Sequence, residues 1–462
     1  MNKNIFRQYD IRGVADQDLT NEVVTLIGRA FSAHLLKQVP AKNPKVVLGR
    51  DIRPSSVRIK KAISDALRAS GVSVIDIGVV TTPICYFSIS HLKASGGIMI
   101  TGSHNPPEYN GLKMLVGKNS LFGEEIQKLK ARIEAKDFVT GRGTCEEVLT
   151  ISAYQDYLTK SFQFKRKLKV VVDSGNGTAG LIAPEVLRKF GHDVVELFSE
   201  PDSRFPNHHP DPTVEKNLQD AIRKVKETGA DVALAFDGDA DRLGVVDDRG
   251  QIVWGDKLLI LFARSILEKN PSAKFVADVK CSNLLFEDVR KRGGNIMMWK
   301  TGHSLIKQKL REEHAQLAGE MSGHMFFADR YFGFDDGVYA GIRVLEILDQ
   351  TGQKLSNLLN DLPRTYATPE LRVDCPDDEK FEVVKRVSKY FKAHYRTIDI
   401  DGVRIDFGDG WGLVRASNTQ PVLVTRFEAS HEKRLNEIRA LVEEKIKEFS
   451  PSSQTKVKRV KR

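Results

Sequence analysis

The chain has 462 residues, 41% of them hydrophobic and 29% charged, the composition of a water-soluble globular protein too long for one ordinary core. No apolar run approaches the roughly 20 residues of a membrane span, and residues 1–13 are polar and charged where a secretion signal needs an apolar block, so a cytoplasmic protein with no membrane partner is expected. The formal charge is +10, but Lys456, Lys458, Arg459, Lys461 and Arg462 lie in a tail with no acidic residue after Ser450, and the remaining +5 shows neither aromatic-basic interleaving nor a nucleic-acid module, which argues against a nucleic-acid partner.

In chain order, one pattern occurs three times. A β-type apolar run (46–49, 170–172, 275–277) stops at an aspartate (Asp51, Asp173, Asp278). A helix-like segment then ends at a glycine suited to a left-handed cap (Gly71, Gly191, Gly293), and a second apolar strand follows (72–77, 194–198, 296–299). A further strand (97–100, 232–236, 316–318) leads each time into a polar loop: Thr101-Gly102-Ser103-His104-Asn105-Pro106, then Asp237-Gly238-Asp239-Ala240-Asp241-Arg242, then Gly319-Glu320-Met321-Ser322-Gly323-His324. Such repeats predict parallel sheets covered by helices, with ligands beyond the C-terminal ends of the strands. The last hundred residues differ: 398–407, 412–416 and 422–428 read as antiparallel strands and 432–449 as an amphipathic helix, with Arg415-Ala416-Ser417-Asn418-Thr419-Gln420-Pro421 between strands. The expected organisation is an α/β protein: three related α/β domains with mainly parallel mixed sheets (1–150, 151–250, 251–364) and a C-terminal α+β domain (365–449). The tail 450–462 reads as disordered.

The loops carry chemistry. Ser103 offers a hydroxyl on a turn too irregular for helix or sheet, although such a serine can equally serve the turn itself. Asp237, Asp239 and Asp241 alternate, so in an extended segment their side chains share one side, where like charges about 4 Å apart repel by about 4 kcal/mol at an effective dielectric near 20. A cation relieves this; a solvated acidic turn is the plainer reading, and an EF-hand is excluded by Arg242 at its sixth position and Asp248 at its twelfth. A nucleophilic serine and a hard metal point to phosphoryl transfer. The donors of the 415–421 loop suit an oxyanion. His208, His209 and Asp211 are placed by three prolines on a rigid loop outside the chemistry rather than at a second metal site, and segments 299–303 and 333–337 are read as shaping the cleft. Cys85, Cys145, Cys281 and Cys375 lack the spacing of a zinc site or a disulfide framework.

From Tyr9-Asp10-Ile11-Arg12-Gly13 to the loop at Arg415, these motifs in this order resemble the α-D-phosphohexomutase superfamily, more closely its bacterial phosphomannomutase/phosphoglucomutase branch. The resemblance implies four domains around a central cleft, a phosphorylated Ser103, and Mg²⁺ held by Asp237, Asp239, Asp241 and a phosphoserine oxygen, with Arg242 beside the same charge. It implies that Glu320 and Ser322 bind the sugar's 3- and 4-hydroxyls. Glucose and mannose present these alike, so both sugars are expected. Arg415, Ser417, Asn418 and Thr419 would bind the distal phosphate, while Tyr9 and Lys280 line the cleft. Arg12, Lys113, His303 and His324 would approach the reacting oxygens, and His104 adjoins the nucleophile. The implied reaction interconverts hexose 1-phosphate and hexose 6-phosphate through a reorienting 1,6-bisphosphate, with glucose 1,6-bisphosphate or an equivalent as activator, in a monomer. Met321 stands where phosphoglucosamine mutases typically carry Gln, which weakens that alternative. A phosphatase has no need of a second phosphate loop, and a noncatalytic sensor would show a broken nucleophile or metal loop, yet both are intact.

Overall fold

The computed structural model describes residues 1–418 and 420–450; the expectations for Thr419 and for the tail beyond Ser450 lie outside them. Three sheets share one strand order. In the first, Tyr109–Val116, Gly96–Ile100, Lys45–Arg50 and Ser73–Val79 lie side by side; in the second, Leu243–Asp247, Val232–Phe236, Lys169–Asp173 and Asp193–Leu197; in the third, Met325–Phe327, Leu317–Gly319, Lys274–Asp278 and Asn295–Trp299. In each, the last three are parallel and the first is antiparallel to its neighbour. The parallel strands are short runs of Val, Ile, Ala and Phe because helices cover both faces. Gly71, Gly191 and Gly293, at φ +82°, +86° and +89°, turn the chain from helix into the next strand, as expected. The three polar loops occupy one topological place, the turn from the third parallel strand into the antiparallel one.

The first three units share a continuous core running from Val47 and Phe87 through Phe236 and Phe262 to Tyr339. Two helices knit it: Thr82–His91 is buried from Thr82 to Ile89, and Gly337–Thr351 is buried over most of its length. The C-terminal unit has a separate core. It meets the third unit through a small apolar cluster of Val279, Trp411 and Leu413 and through polar contacts, with Arg426 donating to Asp256 Oδ2 (3.1 Å) and Arg404 to the Cys281 carbonyl (2.9 Å). Here one expectation is corrected. Residues 398–407 are not one strand: Arg396–Ile398 and Val403–Asp406 pair antiparallel across a turn closed by Gly402 at φ +75°, a conformation the Asp-Gly pair 401–402 favours. Helix Glu432–Phe449 falls where the amphipathic pattern places it. All four cysteines are free thiols, and no described helix is long and apolar enough to cross a membrane.

The junction of these units contains a buried carboxyl with its own pH signature. Asp336 caps helix Gly337–Thr351 through Tyr339 N (2.9 Å) and accepts the hydroxyls of Tyr154 and Tyr331, each at 2.6 Å. Burial pushes its pKa up to about 6 against the lowering effect of those bonds. A folded-state pKa above the unfolded one favours the fold fully only below about pH 4, and the advantage is lost as pH rises through 6. Relative to Asp336→Asn, which cannot ionise, the wild type should therefore lose about 3 kcal/mol of stability between pH 3 and 7, measurable by urea unfolding across that range.

Candidate active site

Ser103 sits at φ +50° with its side chain buried. A serine is held in this left-handed conformation only where its surroundings over-determine it, and here Arg53 does so. Its guanidinium, buried beneath the loop, donates to the carbonyls of Ser103 (3.0 Å), Asn105 (2.6 Å), Tyr109 (2.9 Å) and Pro106. Asp51 completes the staple by pairing with Arg53 Nε (3.2 Å) and accepting Gly102 N (2.9 Å). Gly102 must be glycine, since a Cβ there would lie 2.3 Å from the Arg53 guanidinium.

The acidic loop meets this turn directly. Ser103 Oγ donates to Asp237 Oδ2 at 2.9 Å, and His104 Nδ1 lies 3.1 Å from the same Oγ. Gly238 lets the two backbones touch, because a Cβ there would fall 2.4 Å from the Ser103 carbonyl oxygen. The carboxylates converge differently from the extended alternation expected of them: the segment is a turn with Ala240 at φ +61°, and it folds the three side chains inward. Asp237, Asp239 and Asp241 are fully buried, with one oxygen of each within 4.8 Å of the others. Lys113 Nζ enters from the first unit and donates to Asp239 Oδ2 (2.8 Å) and Asp241 Oδ2, while Thr82 Oγ1 donates to Asp239 Oδ2 at 2.5 Å. Asp239 Oδ1 and Asp241 Oδ1 have no hydrogen-bond partner. Orphaned, buried, anionic oxygens are a donor set that fits a small hard cation. Burial and the neighbouring Asp241 and Asp239 push Asp237 well above the usual carboxylate range, while Lys113 is held protonated by Asp239 and Asp241 against its burial.

Around this centre, Arg12 bonds Asp10 (2.6 Å) and Asn105 of the serine loop. Arg242 donates its backbone N–H to Asp237 Oδ1 (3.1 Å) and its Nε–H to His324 Nε2 (2.9 Å). Asp211 Oδ1 lies 3.9 Å from Arg242 Nη1, so the proline-rich loop is not outside the site as expected; its rigidity brings a carboxylate to the site's edge. Asp211 is held down to about 2: burial opposes this, but His104 and Arg242 outweigh it. His104 and His303 are both pushed well below the normal imidazole value, by burial first and then by Arg242 and Lys307 respectively.

Facing this cluster is a second set of polar groups. Glu320 accepts the Gly302 N–H (2.6 Å), and Ser322 lies half-buried in the same turn. Lys280 pairs with Glu370 (3.1 Å). Arg415 Nε donates to Asp401 Oδ2 (2.9 Å), which also accepts Thr301 N (3.1 Å). Ser417 Oγ accepts Gln420 N (3.1 Å). Tyr9 closes the ring of units, donating to the Thr301 carbonyl (2.7 Å) and accepting from Asn418 Nδ2 (2.6 Å), with its ring edge-on to His303. Sequence reading did not single out Arg53, Thr82, Lys307, Asp335, Glu370 or Asp401 as site residues. Arg53 left a local trace, as Asp51-Ile52-Arg53-Pro54 between a strand and a helix, and Asp335 lies in the 333–337 segment read as shaping the cleft.

Models of the phosphoglucomutase/phosphomannomutase α/β/α domains I, II and III match residues 3–140, 152–250 and 254–366, and the C-terminal domain model matches 370–445. The repeated fold and these matches define an α-D-phosphohexomutase architecture. A phosphomannomutase/phosphoglucomutase of Pseudomonas putida is 45% identical over 98% of this chain and 97% of its own length. A phosphoglucomutase of Neisseria gonorrhoeae is 45% identical over 92% and 93%. The crystal structure of a phosphoglucomutase/phosphomannomutase family protein from Burkholderia thailandensis superposes with a TM-score of 0.91 at 43% identity, covering 99% of both chains. The chain belongs to the phosphoglucomutase/phosphomannomutase family.

The staple beneath Ser103 is testable by itself. Arg53→Lys keeps the charge but not the planar fork, so two or more carbonyls lose their donor at about 1 kcal/mol each. Residues 102–109 should exchange amide hydrogens faster and the protein should unfold at lower temperature, as read by hydrogen-exchange mass spectrometry and calorimetry.

Proposed function

We propose that this protein is a phosphohexomutase that interconverts the 1- and 6-phosphates of mannose and glucose, passing a phosphoryl group between Ser103 and the sugar. The observation that carries this is Ser103 Oγ seated 2.9 Å from Asp237 in a bed of three buried carboxylates, with the polar side chains of Lys280, Glu320 and Arg415 supplied by two other units. Asp237, Asp239, Asp241 and a phosphoserine oxygen would hold Mg²⁺, which when bound supplies positive charge against the carboxylates and the transferring group. Phosphoserine 103 gives its phosphoryl group to the free hydroxyl of a bound monophosphate, breaking the Oγ–P bond as the new O–P bond forms. The bisphosphate turns end for end, because one serine must serve oxygens at opposite ends of the sugar, and its other phosphoryl group returns to Ser103.

Arg242 sits where charge develops on the transferring group. Lys113, held protonated, neutralises rather than accepts a proton. The histidines carry the protons: His303 takes that of the sugar hydroxyl as His104 gives one to the departing Ser103 Oγ, and the two reverse roles on the return half. Arg415, Ser417 and Asn418 take the distal phosphate, with Asp401 fixing the plane of the Arg415 fork. Glu320 and Ser322 take the 3- and 4-hydroxyls.

Ser103→Ala should lower turnover by several orders of magnitude while sugar-phosphate binding survives, and intact-protein mass spectrometry should find one phosphate on the native chain and none on the variant. Full activity in this variant would sink the mechanism. Glu320→Ala should lose activity equally on mannose 1-phosphate and glucose 1-phosphate, roughly 10- to 100-fold for each hydrogen bond removed. A variant crippled on mannose and normal on glucose would show that this loop senses C2.

A further inference from the structure

Asp335 is fully buried in a segment read from sequence only as shaping the cleft, yet three basic side chains turn toward it. Its Oδ1 accepts Lys307 Nζ at 2.9 Å, and its Oδ2, with no hydrogen-bond partner, lies 3.1 Å from His324 Nδ1, likewise unpartnered, and 3.7 Å from His303 Nδ1. The far side of the His324 ring, Nε2, meets Arg242 Nε at 2.9 Å. An arginine Nε carries a hydrogen and no lone pair, so His324 Nε2 must be the acceptor. The ring hydrogen of His324 is thereby confined to Nδ1, the edge facing Asp335.

We propose that Asp335 acts through His324 to aim Arg242 at the reacting phosphoryl group, so that His324 is a positioning residue and not a proton carrier. The chain of contacts starts in the third unit and ends in the second, where the Arg242 backbone also bonds Asp237 beside Ser103. Lys307 neutralises the carboxylate that anchors it. The same atoms, Asp241 Oδ1, His324 Nδ1 and Asp335 Oδ2, lie close enough together to look like a second cation site. That alternative fails on geometry. A cation on Nδ1 would drive the ring hydrogen onto Nε2, directly against the Arg242 N–H.

The proposal rests on the mutase reading, but one of its tests does not depend on turnover. In protein labelled with ¹⁵N-histidine, the ring nitrogens of His324 at pH 8 should show hydrogen on Nδ1 and a bare Nε2. In Asp335→Asn, Lys307 can only donate and so captures the amide oxygen; the amide NH₂ then faces Nδ1 and forces the hydrogen onto Nε2. Turnover of Asp335→Asn should fall roughly 10- to 100-fold, with KM for mannose 1-phosphate moving less than about threefold. His324→Gln, whose amide oxygen can replace Nε2 as the acceptor for Arg242, should keep activity within about tenfold of wild type, whereas His324→Ala should fall roughly 10- to 100-fold further. Hydrogen on Nε2 in the wild type, unchanged turnover in Asp335→Asn, or a glutamine variant as impaired as the alanine variant would each overturn the relay. If the wild type turns over no hexose phosphate at all, the mutase reading fails while the ring-nitrogen result still decides the orientation of His324.

Discussion

Three carboxylates buried within 4.8 Å of one another are the constraint on which the rest of this molecule turns. Alone, they would repel and take up protons, as the raised Asp237 already indicates. The fold answers with a cation carried from a different sheet: Lys113, on the antiparallel strand of the first unit, donates to two of the three. That bridge, together with the Thr82 and Ser103 hydroxyls, forces the first and second units into direct contact. The shared apolar core around helix Thr82–His91 is the packing counterpart of the same demand. A cation that neutralises only part of the charge leaves the unpartnered oxygens of Asp239 and Asp241 facing inward, and in this way structure and chemistry become one arrangement.

Repetition explains how one fold supplies three different tools. Because each sheet has the same order, each loop leaves a third parallel strand at the same place and turns back into an antiparallel strand. Residue type alone then decides what is presented: a hydroxyl in the first unit, carboxylates in the second, a carboxylate and a hydroxyl in the third. The loops need not be rigid in themselves. Each is fixed by a partner from outside it, Arg53 under the serine turn, Lys113 in the acidic turn, and the Gly302 N–H and Arg242 around Glu320 and His324.

Much of this was legible in the sequence because its signals are local. Apolar runs, the glycines after the helices and the order of the polar loops lie within short stretches, and they located most strands and helices and the polar loops between them. What escaped depends on distance along the chain. Arg53 serves carbonyls about fifty residues away, Asp401 joins Arg415 to Thr301 a hundred residues earlier, and Tyr9 reaches Asn418 over 409 positions. The acidic triplet misled differently: alternation implies an extended strand, but Gly238 and the left-handed Ala240 make a turn, and only the close approach of the Ser103 backbone explains why. Likewise the prolines around Asp211 were read as rigidity, whereas what the loop delivers to Arg242 could not be seen.

The four units are not joined alike, and the difference follows the chemistry each must do. Phosphoryl transfer needs reacting groups fixed closely, and the serine and carboxylate turns belong to units sharing one apolar core, where a shift would open cavities in close-packed interior. Recognition of a ligand that must bind in two orientations needs contacts that can be exchanged. Arg415, Asn418 and Lys280 meet their neighbours through polar bonds, and the fourth unit keeps its own core. Polar pairs such as those to Asp401, Tyr9 and Glu370 can be exchanged for other polar partners at little net cost. An apolar seam offers no such exchange. The first three units are therefore tied by a common core, whereas the fourth is tied to the third by a mixed seam, the small apolar cluster of Val279, Trp411 and Leu413 set among exchangeable polar bonds.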